Sequence, residues 1–229
     1  MGLGTAEWQA VFLSIKVGLW ATILSLPVGI FVAYALARWE FRGKQVLNAL
    51  VHLPLVLPPV VTGYLLLLVF GTRGAVGSFL ADLGVVLAFQ WTGAVLAAAI
   101  MAFPLMVRAI RLSIEAVDRK LEDAAATLGA SPIQVFRRIT LPLILPGVVA
   151  GSVLAFAKAI GEFGATITFV ANIPGQTQTI PSAIYAFLQV PDGEGVALRL
   201  VAISILIAIA AVLVSESIAQ RVARKVGER

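Results

Sequence analysis

The residues best placed to do chemistry lie in a polar interval, 121–142, that interrupts an otherwise apolar chain. Seven of them set its pattern: Asp123, Ala124, Ala125, Gly129, Ile139, Leu141 and Pro142. Glycine ends helices readily because it adopts positive φ at little cost, and Ser131-Pro132 is typical of a new helix start. The segment 119–142 therefore predicts a helix-turn-helix, whose small alanine side chains leave room for a groove on a soluble partner.

A second group of candidates follows the fourth apolar run. Lys158 and Glu162 are four residues apart, a spacing that lets them pair on a helix. The alternative is that Lys158 offers its charge to an anion, because ionisable residues within apolar runs are the first functional candidates in a membrane protein. The run behind them is flanked by glycines and bears hydroxyl groups. We predict that six residues line a translocation path or its gate: Lys158, Glu162, Phe163, Gly164, Thr166 and Thr168.

The residue types that enzymes use are scarce. The chain has no cysteine and a single histidine, His52, beside Pro54. A lone histidine at such a position is more often structural than catalytic. No phosphate-binding loop is present, because Gly43-Lys44 is followed by Gln45 and lacks the preceding glycine. These observations predict a chain that is not an enzyme and that has no catalytic residues, no metal site and no bound cofactor.

The composition indicates a membrane protein. Of the 229 residues, 60% are hydrophobic and 13% are charged, whereas a soluble domain carries roughly 25% charged residues. Apolar runs of about 20 residues, the length that crosses a bilayer as a helix, recur along the sequence. We predict an all-α membrane protein forming one domain, 1–229, with five spanning helices at 8–37, 51–70, 90–107, 141–160 and 196–214. A sixth, partial span is left open within 161–189 or 74–89.

The second apolar run is crowded by Pro54, Pro58 and Pro59. Prolines remove backbone donors, and a membrane tolerates the freed carbonyls only where protein or a cavity satisfies them. One interpretation is that the run faces the subunit interior or a translocation path. The alternative is that it carries a kink that only shapes packing. In the fourth run, Gly147 and Gly151 form a small-residue face that predicts close helix packing.

Basic residues concentrate between the apolar runs. The loop at 38–44, the interval at 108–138 and the tail hold most of the 17 lysines and arginines; the tail contributes Arg221, Arg224, Lys225 and Arg229. Cytoplasmic loops carry an excess of these residues, so this side is the cytoplasm. Five spans then place the N-terminus outside and the C-terminus inside. The net charge of +5 reflects topology and not nucleic-acid binding.

The polar interval resembles the cytoplasmic motif of ABC importer permeases: Glu-Ala-Ala, three residues, Gly, nine residues, then Ile-x-Leu-Pro. The spacing matches throughout, and the one departure is Asp123, where the family usually has Glu. Three stretches are similar to the molybdate permease family of type I ABC importers: HLPLVLPPVVTGYLLL, FPLMVRAIRLSIEAVD and GEFGATITFVANIPGQTQTIPSAIY. Sulfate permeases resemble the last stretch but are longer chains and usually diverge after its first residues.

The resemblance implies a type I ABC importer permease fold and a machine of several chains. Two copies of this chain would form the pore, and two cytoplasmic ATPase subunits, which use ATP and Mg²⁺, would dock on 119–142. A periplasmic or extracellular binding protein would deliver molybdate or tungstate at a bacterial or archaeal cytoplasmic membrane. Sulfate or thiosulfate is the alternative cargo. A secondary transporter would need buried acids or inverted repeats, and a membrane enzyme would need a catalytic cluster; the sequence shows none of these, so both alternatives are disfavoured.

Overall fold

The structure, a computed structural model, describes the backbone of residues 4–227 and the side chains of 4–214 and 216–218. Within these residues the chain forms helices and no strands. In chain order they are α1 (Thr5–Arg38), α2 (Lys44–Val56), α3 (Pro59–Phe70), α4 (Ala75–Asp82), α5 (Trp91–Glu115), α6 (Arg119–Thr127), α7 (Pro132–Val135), α8 (Leu141–Ile160), α9 (Gly164–Val170), α10 (Ile180–Phe187) and α11 (Glu194–Gly227). A π-helical turn, Phe136–Thr140, joins α7 to α8.

Among the described residues, four helical segments are long and apolar enough to cross a membrane, or five if the bent pair α2–α3 is one span. The four are α1, α5, the 29-residue run Pro132–Ile160 and α11 as far as Ile218. The prediction of an all-α protein with about five spans is therefore confirmed. The basic tail residues Arg221, Arg224, Lys225 and Arg229, on which part of the predicted orientation depends, lie outside the described side chains.

The second predicted span is not one helix. The axes of α2 and α3 meet at 115°, with the break at Leu57 and Pro58. Leu57 is extended, with φ −71° and ψ 142°, because the ring of the following proline disfavours helical backbone at the preceding residue. Pro59 then starts α3, where its missing N–H leaves no helical bond unmade. The consecutive prolines therefore cause a sharp reversal of direction and not the mild kink that a single proline gives.

Neither candidate for a sixth span forms a membrane-crossing helix. Within 74–89 the structure has the eight-residue α4, and within 161–189 it has α9 and α10, of seven and eight residues. Each is far shorter than the roughly 20 residues that a span needs. These short helices instead pack against the long ones, with α9 lying along α3 and α10 lying along α11.

The core is built around α5, which packs against α1 on one side and α8 on another. Small residues let these helices approach closely. A side chain added at Gly147 of α8 would overlap Ser113 of α5, and one added at Gly151 would lie 3.2 Å from Ile110. This contact confirms the packing face that the glycine spacing predicts. A smaller apolar cluster, centred on Ile180 and Leu200, joins α1 to α10 and α11.

Candidate functional site

The predicted helix-turn-helix begins with α6. Asp118 caps the helix by accepting a hydrogen bond from the backbone N–H of Lys120 at 2.9 Å. Gly129 follows with φ +86°, and the N–H of Ala130 bonds back to the carbonyl of Ala125 at 3.1 Å. This is the hydrogen-bond pattern of a glycine-terminated helix, which satisfies carbonyls that the last turn leaves free. The predicted end of the first helix at Gly129 is thus confirmed.

The second helix starts as predicted but continues further. Ser131 and Gln134 form a reciprocal capping box, and Pro132 occupies the first turn. The sequence predicts a helix-turn-helix over 119–142 and a separate span over 141–160; in the structure α7 instead runs through the π-helical turn directly into α8. Pro142 offers no N–H to the preceding turn, and its ring would crowd a carbonyl there. The wider turn, in which the N–H of Leu141 bonds to the carbonyl of Phe136, accommodates it.

The α6–α7 unit presents an apolar surface to solvent. Leu128 is 88% exposed and Ile133 is 71% exposed. Asp123 and Ala124 are exposed beside them, whereas Ala125, Ile139, Leu141 and Pro142 are half-buried against the bundle. We call Asp123, Ala124, Leu128 and Ile133 the docking face, after the role that the sequence predicts for this unit. The motif residues therefore divide into an outward set and a set that anchors the unit.

The anchoring acid, Glu122, is a residue that sequence reasoning missed. Its carboxylate lies 3.0 Å from the guanidinium of Arg38 and accepts a 2.6 Å hydrogen bond from the hydroxyl of Thr140. These partners stand 84 and 18 positions away, so no local spacing points to them.

In the loop after α1, the ammonium of Lys44 donates a hydrogen bond to Glu40 at 2.8 Å and lowers the pKa of that exposed carboxyl.

The predicted path residues begin with an ion pair. Lys158 and Glu162 lie 2.8 Å apart, as their spacing predicts. The Glu162 side chain is 1% exposed and that of Lys158 is 30% exposed, so the carboxylate is buried whereas the lysine side chain is partly exposed. The other carboxylate oxygen of Glu162 accepts from the backbone N–H of Ala165 at 3.0 Å. The pair therefore fixes the turn between α8 and α9.

The rest of this segment is tightly packed. The hydroxyl of Thr166 donates to the carbonyl of Phe163, and that of Thr168 donates to the carbonyl of Gly164, both at 2.9 Å. Phe163 and Thr168 are half-buried, whereas Thr166 is buried. A side chain added at Gly164 would lie 2.7 Å from Pro59, so α9 meets α3 at the proline break. That these residues line a path stays a prediction.

A cavity of about 320 Å³ with a mixed polar and apolar lining lies elsewhere, between α1, the start of α5 and the loop before α10. Its lining includes Gln9, Lys16, Gln90 and Gln176. The ammonium of Lys16 lies 3.4 Å from the ring centroid of Trp91, an arrangement in which the ring face attracts the cation. Larger cavities of about 420 to 470 Å³ have almost wholly apolar linings and offer little to an anion.

Solved structures share this fold. A bacterial ABC transporter involved in the import of the acidic polysaccharide alginate matches 95% of this chain and 80% of its own, with a TM-score of 0.74 and 18% identity. The MetNI methionine ABC transporter, in an inward-facing conformation, matches 95% of this chain and 94% of its own, with a TM-score of 0.71 and 15% identity. At such identities the likeness shows the fold, that of type I ABC importer permeases.

Sequence relatives are much closer. The molybdenum transport system permease protein ModB of Escherichia coli (strain K12) is 60% identical over 221 residues, 96% of each chain. ModB of Haemophilus influenzae is 53% identical over 97% of each chain. A probable sulfate transport system permease protein, cysT of Nephroselmis olivacea, is 35% identical over 82% of this chain and 66% of its own. Residues 25–227 match one family, and the chain belongs to it: the inner membrane components of binding-protein-dependent transport systems.

Proposed function

We propose that this chain is the pore-forming permease subunit of an ATP-driven importer that brings molybdate or tungstate into the cytoplasm. The observation that supports molybdate as the cargo is the 60% identity to a molybdenum permease over 96% of both chains. The sulfate permease is the second candidate, favoured only by the 35% match over a shorter stretch. As a transport subunit, the chain would leave ATP hydrolysis to a partner.

The docking face supports the ATP-driven mechanism. An exposed apolar surface on a capped unit, formed by α6 and by the first turn of the spanning segment Pro132–Ile160, is suited to a groove on a soluble protein. Two ATPase subunits, binding ATP and Mg²⁺, would each receive one such unit. Two copies of this chain, related by a two-fold axis as in most soluble dimers, would form the pore and present one docking face to each ATPase subunit. A periplasmic or extracellular binding protein would supply the oxyanion, and the partner ATPase would bind ATP and Mg²⁺ in place of this chain.

The orientation follows from the same unit. Docking of a cytoplasmic ATPase would place α6 and the basic loop at 38–44 inside the cell. The N-terminus of α1 would then face outside and the end of α11 would face the cytoplasm, the orientation that the distribution of basic residues predicts.

The predicted path segment would act as a gate. In the described structure Glu162 and Thr166 are buried and the threonine protons are already donated to backbone carbonyls. Exposure of this segment to an anion would require α9 to part from α3. A path that moves a dianion needs weak contacts so that release is fast, and high affinity is better placed in the binding protein.

Reconstitution tests the function directly. The chain, its ATPase and its binding protein are placed in proteoliposomes, and uptake of labelled molybdate is measured with and without ATP, against unlabelled tungstate and sulfate. ATP-dependent uptake blocked by tungstate and not by sulfate is expected. Uptake without the ATPase would indicate a secondary transporter, and preferential block by sulfate would favour the sulfate alternative.

A further inference from the structure

Glu122 connects three parts of the molecule through one carboxylate. Its side chain is only 13% exposed, whereas Leu128, which directly follows α6, is 88% exposed. One oxygen pairs with Arg38, in the last turn of α1, and the other accepts from Thr140, in the π-helical turn before α8. The carboxylate thus joins the docking unit to the ends of two membrane helices.

Arg38 extends the connection to a third helix. Its side chain is 8% exposed, and its terminal nitrogen donates to the carbonyl of Val117 at 2.9 Å, in the loop that leads from α5 into α6. The guanidinium of Arg119 in turn reaches the carbonyl of Ala37 at 3.4 Å. Two hydrogen bonds, one donated from each side, therefore join the end of α1 to the start of α6 and to the loop before it.

The neighbouring acid has a different environment. Asp123 is exposed, and within the described part of the chain it forms neither an ion pair nor a hydrogen bond. Adjacent carboxylates on one helix point about 100° apart, so the chain can place one toward the bundle and one toward a partner. In this chain Glu122 contacts the helix bundle, and Asp123, which occupies the acidic position of the motif, is exposed and available to a partner.

We propose that Glu122 is a positioning residue that clamps α6 to α1 and α8. The proposal rests on the proposed function, in which an ATPase moves the docking face. A buried Arg–carboxylate pair resists separation because each charge would be left without its partner. When the docking face is displaced, α1 and α8 then move together with α6. Without the clamp, α6 could tilt alone and leave α1 and α8 in place. Breaking the clamp should uncouple hydrolysis from transport without preventing docking.

The first test compares uptake with ATP hydrolysis in the reconstituted complex. Glu122→Gln keeps the size of the side chain and a hydrogen bond to Thr140 but removes the charge. We expect normal ATPase binding and hydrolysis, with anions taken up per ATP falling about tenfold, because the buried guanidinium of Arg38 loses the charge with which it is paired. The double exchange of Arg38→Glu with Glu122→Arg should restore part of this ratio, which a merely disruptive substitution would not allow.

Glu115→Gln is the matched control. Glu115 stands at the same end of the bundle and pairs with Arg111 at 2.7 Å, but both residues belong to α5, so their contact joins no two elements. It should leave the ratio of uptake to hydrolysis unchanged. An unchanged ratio in Glu122→Gln would overturn the clamp. Loss of ATPase binding in that variant would also overturn it, by making Glu122 a docking residue.

The second test does not depend on transport. The chain has no native cysteine, so spin labels can be attached at Lys120→Cys in α6 and Leu24→Cys in α1, both exposed positions. The label-to-label distance distribution should broaden in Glu122→Gln and stay narrow in Glu115→Gln. Equal widths would contradict the clamp even if the proposed function holds. If the wild-type complex shows no ATP-dependent uptake, the proposed function fails while this distance test still reports on the clamp.

Discussion

The carboxylate of Glu7 accepts a hydrogen bond from the guanidinium of Arg199 across 2.8 Å, which ties the first turn of α1 to the start of α11. Glu7 is 3% exposed, whereas the Arg199 side chain keeps 40% of its surface exposed. About two turns further along α1, the hydroxyl of Ser14 accepts a hydrogen bond from the backbone N–H of Ile180, at the start of α10, at 2.7 Å. The first and last helices are thus joined at the end of the bundle opposite α6.

Glu7→Gln should lower the thermal stability of the detergent-solubilised chain. The variant removes the charge that pairs with Arg199 while keeping the side-chain shape, and a buried group that loses its charged partner costs about 1–3 kcal/mol. The melting temperature of the chain, followed by intrinsic tryptophan fluorescence, should fall by several degrees. Glu194→Gln, an exposed acid in the first turn of α11, is the control and should melt as wild type. Equal melting of Glu7→Gln would show that this pair does not hold α1 to α11.

Gly63→Ala should separate α3 from α9. The added carbon would lie 2.5 Å from the carbonyl oxygen of Ala165, and that oxygen belongs to backbone that cannot rotate away. Overpacking of this kind costs roughly 1–3 kcal/mol. We expect reduced stability and reduced molybdate uptake. Gly161→Ala is the control, because the nearest atoms there stand 3.6 Å away at ordinary contact distance. Wild-type behaviour of Gly63→Ala would argue that α3 and α9 part easily.

Features that depend on neighbours in sequence could be predicted. The end of α6 at Gly129, the cap at Ser131 and the pair Lys158–Glu162 each follow from residues within four positions of one another. The glycine face of α8 was also predictable, because small residues on one side of an apolar helix indicate close packing.

Contacts between distant residues could not be predicted from one sequence. The partners of Glu122 and Glu7 depend on how each helix is rotated about its axis and how far it is shifted along its neighbour. The prolines show where the second apolar run breaks, but they do not state the direction that α3 takes after the break, which is 115° from α2 and brings α3 against α9. The π-helical turn is likewise a compromise between Pro142 and a continuous helix, and residue spacing alone does not distinguish it from a restart.

The Lys158–Glu162 pair gives a test that separates folding from transport. Lys158→Met leaves the buried Glu162 without its cation and should destabilise the chain. Adding Glu162→Gln removes the buried charge and should restore most of the stability, since replacing both partners is far less costly than removing one. The double variant should fold yet take up molybdate with a higher KM if the ammonium also meets the anion. Wild-type uptake by the stable double variant would assign the pair to folding alone.

Gly129→Ala should weaken ATPase binding through the backbone alone. Open space surrounds the position, so an added carbon clashes with nothing, but φ of +86° costs an L-residue about 1–2 kcal/mol. Gly129→Asn is the matched variant, because asparagine tolerates the left-handed conformation better and fills more space. We expect pull-down of the ATPase to fall with Ala and to be largely retained with Asn. Equal loss in both would point to contact with the partner at this position and not to the turn.

Leu128→Asp should prevent docking while the chain itself stays folded. Leu128 is 88% exposed, so the substitution buries no charge in the free chain, whereas in a partner's apolar groove it would bury an unpaired carboxylate. The expected result is loss of ATPase binding with an unchanged melting temperature. Leu83→Asp is the control, since Leu83 is 64% exposed in the turn after α4, remote from the docking face. If Leu128→Asp binds the ATPase as wild type does, the apolar side chains of α6 and α7 are not the contact, and the ATP-driven mechanism loses the surface on which it is argued.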